Sequence, residues 1–402
     1  MIVPRTVVTE QLSLILGAPV ALTDAQVERF WAAFSREEEL TAPKDKHGNV
    51  PPESLPPQCQ GQQDPLPLHA EIQALATRFP AMLPRWPSGC RFAACLSHDV
   101  DRIVKLPWRE RWRQLATLRQ SASLKQQVRW ACAAAVYAGG ALTGQSDLAV
   151  YDPWMNEEAR HGFHSTFFVL PEQLAAPTTH DHYYHYADPV RFRDYRMSFT
   201  EATRLAHEEG WEIGLHGSYA SAFDTQIFRQ DKAQVEEMLS APIRSTRQHY
   251  LRFDVGITPH IQAQAGIQTD TTLGYSTTIG CRAGLAFPYF WPHEPELLEV
   301  PLIIQDVGLA ALYGGDLARV ESIEHGKALI RAIADAGGVV TLSWHTHPES
   351  NGAMACYRAL LNTVAELGGW GCSVTELNDW WRSRRRQLAA ITKKSRGTSS
   401  RS

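Results

Sequence analysis

The sequence predicts an α/β domain built on a parallel sheet, closed as a barrel or doubly wound. Two observations carry that prediction. From residue 150 onward, short apolar runs of strand character alternate with amphipathic helical stretches. Several of those runs end abruptly in an acid or a histidine, and the carboxyl ends of parallel strands are where catalytic groups sit.

The elements are expected in this order. A helix covers 24–39, capped by Thr23, with Val27, Phe30, Trp31 and Phe34 as its apolar stripe. Residues 41–68 are rich in Pro, Gln and Gly and read as an irregular linker or covering loop. A helix over 69–79 leads to the first main strand, Phe92 to Leu96, which empties into His98-Asp-Val-Asp101. A basic, tryptophan-bearing amphipathic section then forms a helical insertion, 102–148. Strands follow at 165–170, 212–215, 245–251, 269–273, 297–304, 338–344 and 372–374. Helices are expected at 198–210, 225–239, 259–265, 317–336 (capped by Asp316) and 356–367, before a last tryptophan-rich helix. The domain reading is thus an N-terminal helical extension and Pro-rich linker (1–87), a barrel (88–380), and a basic, disordered tail (381–402).

Composition narrows the class. The chain has 402 residues, 44% hydrophobic and 20% charged, as in an ordinary soluble globular protein. Its net charge of −4 gives no reason to expect nucleic acid as a partner. Seven cysteines without a CxxC pair argue against a disulfide framework and a cysteine zinc site, and are expected as buried free thiols. Residues 12–22 lack the basic flank of a signal peptide, and the most apolar stretch elsewhere, 131–142, is shorter than the ~20 residues a membrane span needs. These absences point to a cytoplasmic protein without a transmembrane segment, with peripheral membrane contact left open.

Four expected strands end in a candidate ligand or acid/base: Asp99 with Asp101, His216, Asp306, and His345 with His347. Parallel strands bring all these ends to one face, so residues distant in the chain can meet. An acid and imidazoles around an open position can hold Zn²⁺ or a similar divalent metal, which activates water and polarises a carbonyl. A second carboxylate can act as base and a histidine can protonate a leaving nitrogen. In extended backbone Asp99 and Asp101 face the same side, so one can bind metal while the other takes a proton.

Five motifs occur in sequence: His98-Asp-Val-Asp101, Phe163-His-Ser-Thr-Phe-Phe-Val169, Glu212-Ile-Gly-Leu-His-Gly-Ser218, Arg247-Gln-His-Tyr250 and Leu342-Ser-Trp-His345. Together they resemble the motif series of NodB-type polysaccharide deacetylases (carbohydrate esterase family 4), in the branch whose first motif reads His-Asp-Val-Asp. The resemblance implies a distorted (β/α) barrel of about seven strands. It also implies a metal-dependent hydrolase that removes acetyl groups, most often from nitrogen, from an acetylated glycan or amino-sugar precursor. On that pattern Asp99 is the base, Arg247 orients it, His345 is the general acid, and Asp101 and His216 are metal ligands.

One position departs from the family. A second histidine ligand four residues after His216 is usual there; this chain has Ala220. His249 is the first candidate for the missing ligand and His98 the second, and His347 is an alternative to His345. Arg282, Tyr250, Asp306 and Trp344 are candidates for substrate contact; the competing expectations are a loop salt bridge for Arg282, orientation of His345 or a structural hydrogen bond for Asp306, and core packing for the tryptophan. The His180-Asp-His-Tyr-Tyr-His185 cluster reads as a rim loop. Rival functions are an O-acetyl esterase or linear-amide hydrolase on the same scaffold, and a glycan-binding protein with a decayed site. On the leading reading, Asp99→Ala is expected to abolish acetate release with the fold intact.

Overall fold

A computed structural model describes residues 4–55, 66–103, 148–172, 180–181, 185–347 and 350–399. Its strands are β1 (Phe92–Val100), β2 (Thr166–Val169), β3 (Pro189–Phe192), β4 (Tyr195–Ser198), β5 (Glu212–Gly217), β6 (Ser245–Gln248), β7 (Thr269–Asp270), β8 (Tyr289–Trp291), β9 (Glu294–Glu299), β10 (Ile304–Gln305), β11 (Val339–His345) and β12 (Gly369–Cys372). Apart from the β3–β4 hairpin, they form one curled, mostly parallel ten-stranded sheet in the order β10-β11-β1-β2-β5-β6-β7-β9-β8, with β12 also on β1. Only β8 runs antiparallel, against β9. Parallel pairing puts the carboxyl ends at one rim, as the sequence predicts.

All nine residues of β1 are buried. β11 pairs with it from Ala93 to Asp99; on the other edge β12 takes Phe92 to Cys95 and β2 takes Ser97 to Val100. A strand paired on both edges and covered on both faces reads as a continuous apolar run, which is why it stands out in the sequence.

The stretch 297–304 is not one strand. Pro301 has no N–H for a ladder, so pairing stops and the chain passes from one end of the curled sheet to the other. β9 pairs with β7, whereas β10 pairs with β11 at the opposite end of the sheet. The segment between β7 and β8 fills the gap, through backbone bonds Leu302 N–Leu273 O, Gly280 N–Ile303 O and Val339 N–Ala286 O.

The N-terminal segment has two helices before residue 40. The Asp24–Ser35 helix is shorter than expected; it is capped by Thr23 as expected, in a capping box with Gln26, and buries Val27, Phe30, Trp31 and Phe34. The Arg5–Leu16 helix was not expected; it buries Leu12, Leu14, Ile15 and Leu16 and stops at Gly17, which takes the left-handed conformation. Its Gln11 side chain bonds both the N–H and C=O of Phe290, blocking the free edge of β8.

The basic tail corrects another expectation. Val374–Ser399 is a helix, not disordered chain. Leu377, Trp381, Arg384 and Leu388 recur on one face and are buried, with Trp381 stacked on Trp86 and Arg384 bonding Leu14 O. The 317–336 helix begins at Val320; Asp316 does not cap it but accepts from Ala318 N and Asn351. Of the expected helical insertion, 104–147 lie outside the described residues. Of the described cysteines, Cys95, Cys281, Cys356 and Cys372 are buried. No described helix is long and apolar enough to cross a membrane.

Candidate active site

Sheet register determines which side chains meet. β1 and β11 place Asp99 opposite His345, and β5 and β6 place His216 opposite Arg247. Beyond β6 the chain makes a tight turn, His249–Leu251, that brings His249 toward Asp101.

Asp101, His216 and His249 form a group whose donor atoms all lie within 4.8 Å of one another. His216 Nε2 is 3.2 Å from Asp101 Oδ1, and His249 Nε2 is 3.8 Å from Asp101 Oδ2. The far nitrogen of each ring is engaged: His216 Nδ1 donates to Arg247 O at 2.8 Å, and His249 Nδ1 to Asp181 Oδ1 at 2.9 Å. Those bonds fix the tautomer that leaves Nε2 free to ligate. Asp101 Oδ1 is buried yet receives no aligned hydrogen bond, despite the nearby imidazole. One carboxylate and two converging imidazoles fit a divalent cation with positions left for water or substrate. Burial would raise the Asp101 carboxyl, but His249, His216 and His345 hold it well below the usual range. Burial would likewise lower His249; Asp101 and Asp181 outweigh it and push the ring up to about 9.

Asp99 is set back from this group and bound to Arg247, Oδ1 to Nη1 at 2.7 Å. Arg247 is fully buried and spends all its N–H donors: on Asp99, Ser343 Oγ, Ser97 Oγ, and both the carbonyl and hydroxyl of Thr271. Its guanidinium also lies over Phe168, 4.7 Å from the ring centre. Burial would raise the Asp99 carboxyl; Arg247 outweighs it, with help from His216 and His345, so Asp99 is ionised and held in place at neutral pH. His345 is the complement. Asp306 accepts from its Nδ1 at 2.7 Å and from its backbone N at 3.1 Å, leaving Nε2 3.5 Å from Asp101 Oδ2. Burial would lower its pKa, but Asp306, Asp101 and Asp99 push it up to about 10, so it carries a donatable proton at neutral pH.

These groups line a cleft with two arms, of about 460 and 580 Å³, that share Asp101, Tyr250, Val307 and His345. Asp99, His216 and His249 face the first arm, together with Asp45, Lys46, His47 and Asn49 of the N-terminal segment. Arg102, Asp306 and His347 face the second.

Not every expected site residue is here. Tyr250 stands at the junction, 40% exposed. Asp306 orients His345. Arg282 is instead a buried structural cation, bonded to Glu39 and Gly274 O. Breaking a buried pair of this kind costs about 3–5 kcal/mol, so Arg282→Ala is expected to lower the melting temperature sharply while KM stays unchanged. Trp344 is fully buried, its Nε1 donating to Ala353 O at 3.1 Å, so it cannot stack on substrate. His98 points to the far side of β1, where its ring nitrogens meet Trp344 O and Glu158, and is no ligand.

Two contributors were missed. Asp181, assigned only to a rim loop, is the buried partner of His249. The Asp45–Asn49 loop, read only as a covering loop, forms one wall of the cleft. The loop after His216 is held in turn by Asp231, which accepts from Ser218 N at 3.0 Å. Burial pushes the Asp231 carboxyl up to about 6, against the opposing bonds from Ser218. The folded chain therefore holds this proton more tightly than the unfolded one. Its contribution to stability is complete below about pH 4 and is lost as pH rises through about 6. Asp231→Asn should raise the melting temperature at pH 8, by at most about 3 kcal/mol of stability, and leave it unchanged or lower at pH 4.

No family model matches the sequence, and no curated protein matches it. Solved structures with a similar fold include one described as a polysaccharide deacetylase from Mycobacterium smegmatis (TM-score 0.44, 18% identity, covering 75% of this chain and 93% of that one). Another is a family 4 carbohydrate esterase from Streptomyces lividans in complex with acetate (0.36, 9%, 70% and 92%). A third is a family 4 pseudoenzyme from Bacillus anthracis (0.33, 9%, 57% and 60%). All three scores lie below 0.5; what this site can do follows from its own residues.

Proposed function

We propose that the chain is a metal-dependent hydrolase that removes an N-acetyl group from an acetylated carbohydrate. The observation that carries this is the meeting, in one cleft, of a three-donor group (Asp101, His216, His249), an arginine-held carboxylate and an aspartate-held histidine. A divalent cation on the three donors would supply Lewis acidity toward the acetyl carbonyl and toward water. Asp99 takes the proton of the attacking water, and Arg247 keeps its carboxylate fixed and ionised while it does so. His345, held by Asp306, gives its proton to the departing nitrogen. That donation favours an amide over an ester, because an amine leaves poorly unless protonated. The two-armed cleft admits sugar on both sides of the reacting group.

A decayed binding site fits less well, since its acids and histidines would be buried without purpose. The test is acetate release from N-acetylated oligosaccharides by protein stripped with chelator, then given Zn²⁺, Co²⁺ or Mn²⁺. Activity lost on stripping and restored by one of these metals is expected. No release under any of them, from folded protein, overturns the proposal.

A further inference from the structure

We propose that Asn49, far from the site in sequence, is a positioning residue for the candidate metal centre, holding the turn that aims His249 at Asp101. The inference rests on the reading of Asp101, His216 and His249 as metal ligands.

The turn after β6 is unusual. Tyr250 (φ 60°) and Leu251 (φ 50°) are consecutive left-handed residues with side chains, and neither is glycine. Such a conformation is costly for L-residues and persists only where its surroundings impose it. Here Asn49 brackets the turn. Its Nδ2 donates to Tyr250 O at 3.0 Å, and its Oδ1 accepts from Phe253 N at 3.1 Å. One amide therefore serves a carbonyl inside the strained turn and an N–H just beyond it. An aspartate could supply only the second bond, and alanine neither.

Asn49 is itself fixed. Its N–H donates to Asp45 Oδ1 at 2.9 Å, and its carbonyl accepts from Asp45 N at 2.7 Å. A further bond, Arg252 Nε to His47 O at 2.8 Å, joins the same loop to the same turn. His249 thus receives its orientation from two directions: Asp181 holds its ring, and Asn49 holds the backbone that follows it. This matters because Ala220 offers no ligand, so the second imidazole comes from the turn after β6 rather than from the loop that follows His216. The N-terminal segment then forms part of the metal centre without touching the metal.

The test measures Zn²⁺ binding by competition with a chromogenic chelator, and the visible spectrum of the Co²⁺-loaded protein, for the full chain. Asn49→Ala should weaken Zn²⁺ binding about tenfold or more, the scale seen when a ligand loses its orienting partner, and should alter the Co²⁺ bands. Asn49→Asp, which keeps the bond from Phe253 N, should fall between. Lys44→Ala removes an ion pair to Asp254 at the same seam and should leave binding within twofold and the spectrum unchanged. If Asn49→Ala fails to fold, the Asn49→Asp variant against Lys44→Ala decides. Binding by the Asn49 variants within twofold of wild type, or an equal loss in Lys44→Ala, overturns the proposal and makes Asn49 a seam residue. A wild-type protein that binds no Zn²⁺ overturns the metal-centre reading itself, and Asn49's role with it.

Discussion

Asp99→Asn is expected to lower acetate release by about 10²- to 10⁴-fold, the usual contribution of a positioned base, with a smaller loss of melting temperature than Asp99→Ala. The amide oxygen can still accept from Arg247, so the buried guanidinium keeps a hydrogen-bond partner although it loses its counter-charge. Asp99→Ala is a different experiment. It strips both the counter-charge and the hydrogen-bond acceptor from Arg247, which is fully buried, and an uncompensated buried charge costs about 3–5 kcal/mol. The alanine variant should lose fold stability along with activity, contrary to what the sequence alone suggests. Melting curves beside turnover for both variants check this. An asparagine variant turning over within threefold of wild type would remove Asp99 from the mechanism.

His249→Ala should abolish tight metal binding. It removes one of the three donors found among the described residues, so the loss should exceed the about 10- to 100-fold that follows from losing a ligand's hydrogen-bond partner. Asp181→Asn, which only weakens the hold on the His249 ring, should fall inside that range. Titrations of the two variants against wild type distinguish a ligand from its support. If His249→Ala binds Zn²⁺ as tightly as wild type, the third ligand lies elsewhere.

The core of the site was legible because its signal is local. β1 is a buried run that turns polar within a few residues, and β5 and β11 do the same at His216 and His345. Periodicity and strand direction then bring these residues to one rim. What was not legible depends on contacts between distant segments. Asp181 lies 68 residues from His249 and Asn49 lies 201 from Tyr250, and neither neighbourhood has a pattern that announces the other. Arg282 and Trp344 show the converse problem: residue types suited to gripping a sugar are also suited to a core, and burial alone separates the roles. In the C-terminal helix, arginines and lysines obscured a stripe running through Leu377, Trp381 and Leu388. At 297–304 the apolar run was read as a single strand, but only its two ends are strand, and Pro301 lies in the stretch that divides them between β9 and β10.

The position of β1 also bears on how the chain is made. Its pairing with β11 joins residues 246 apart, as between His98 and Trp344. At translation speeds of about 5–20 residues per second, one edge of the most buried strand in the molecule waits roughly 12–50 s for its partner. In that interval the half-made chain exposes a long apolar edge, the kind of surface on which unfinished proteins associate. The strand that carries Asp99 is thus the most sheltered part of the finished fold and the most vulnerable part of the nascent one. Recovery of native protein should accordingly be governed by chaperone supply and synthesis rate more than by the stability of the completed site.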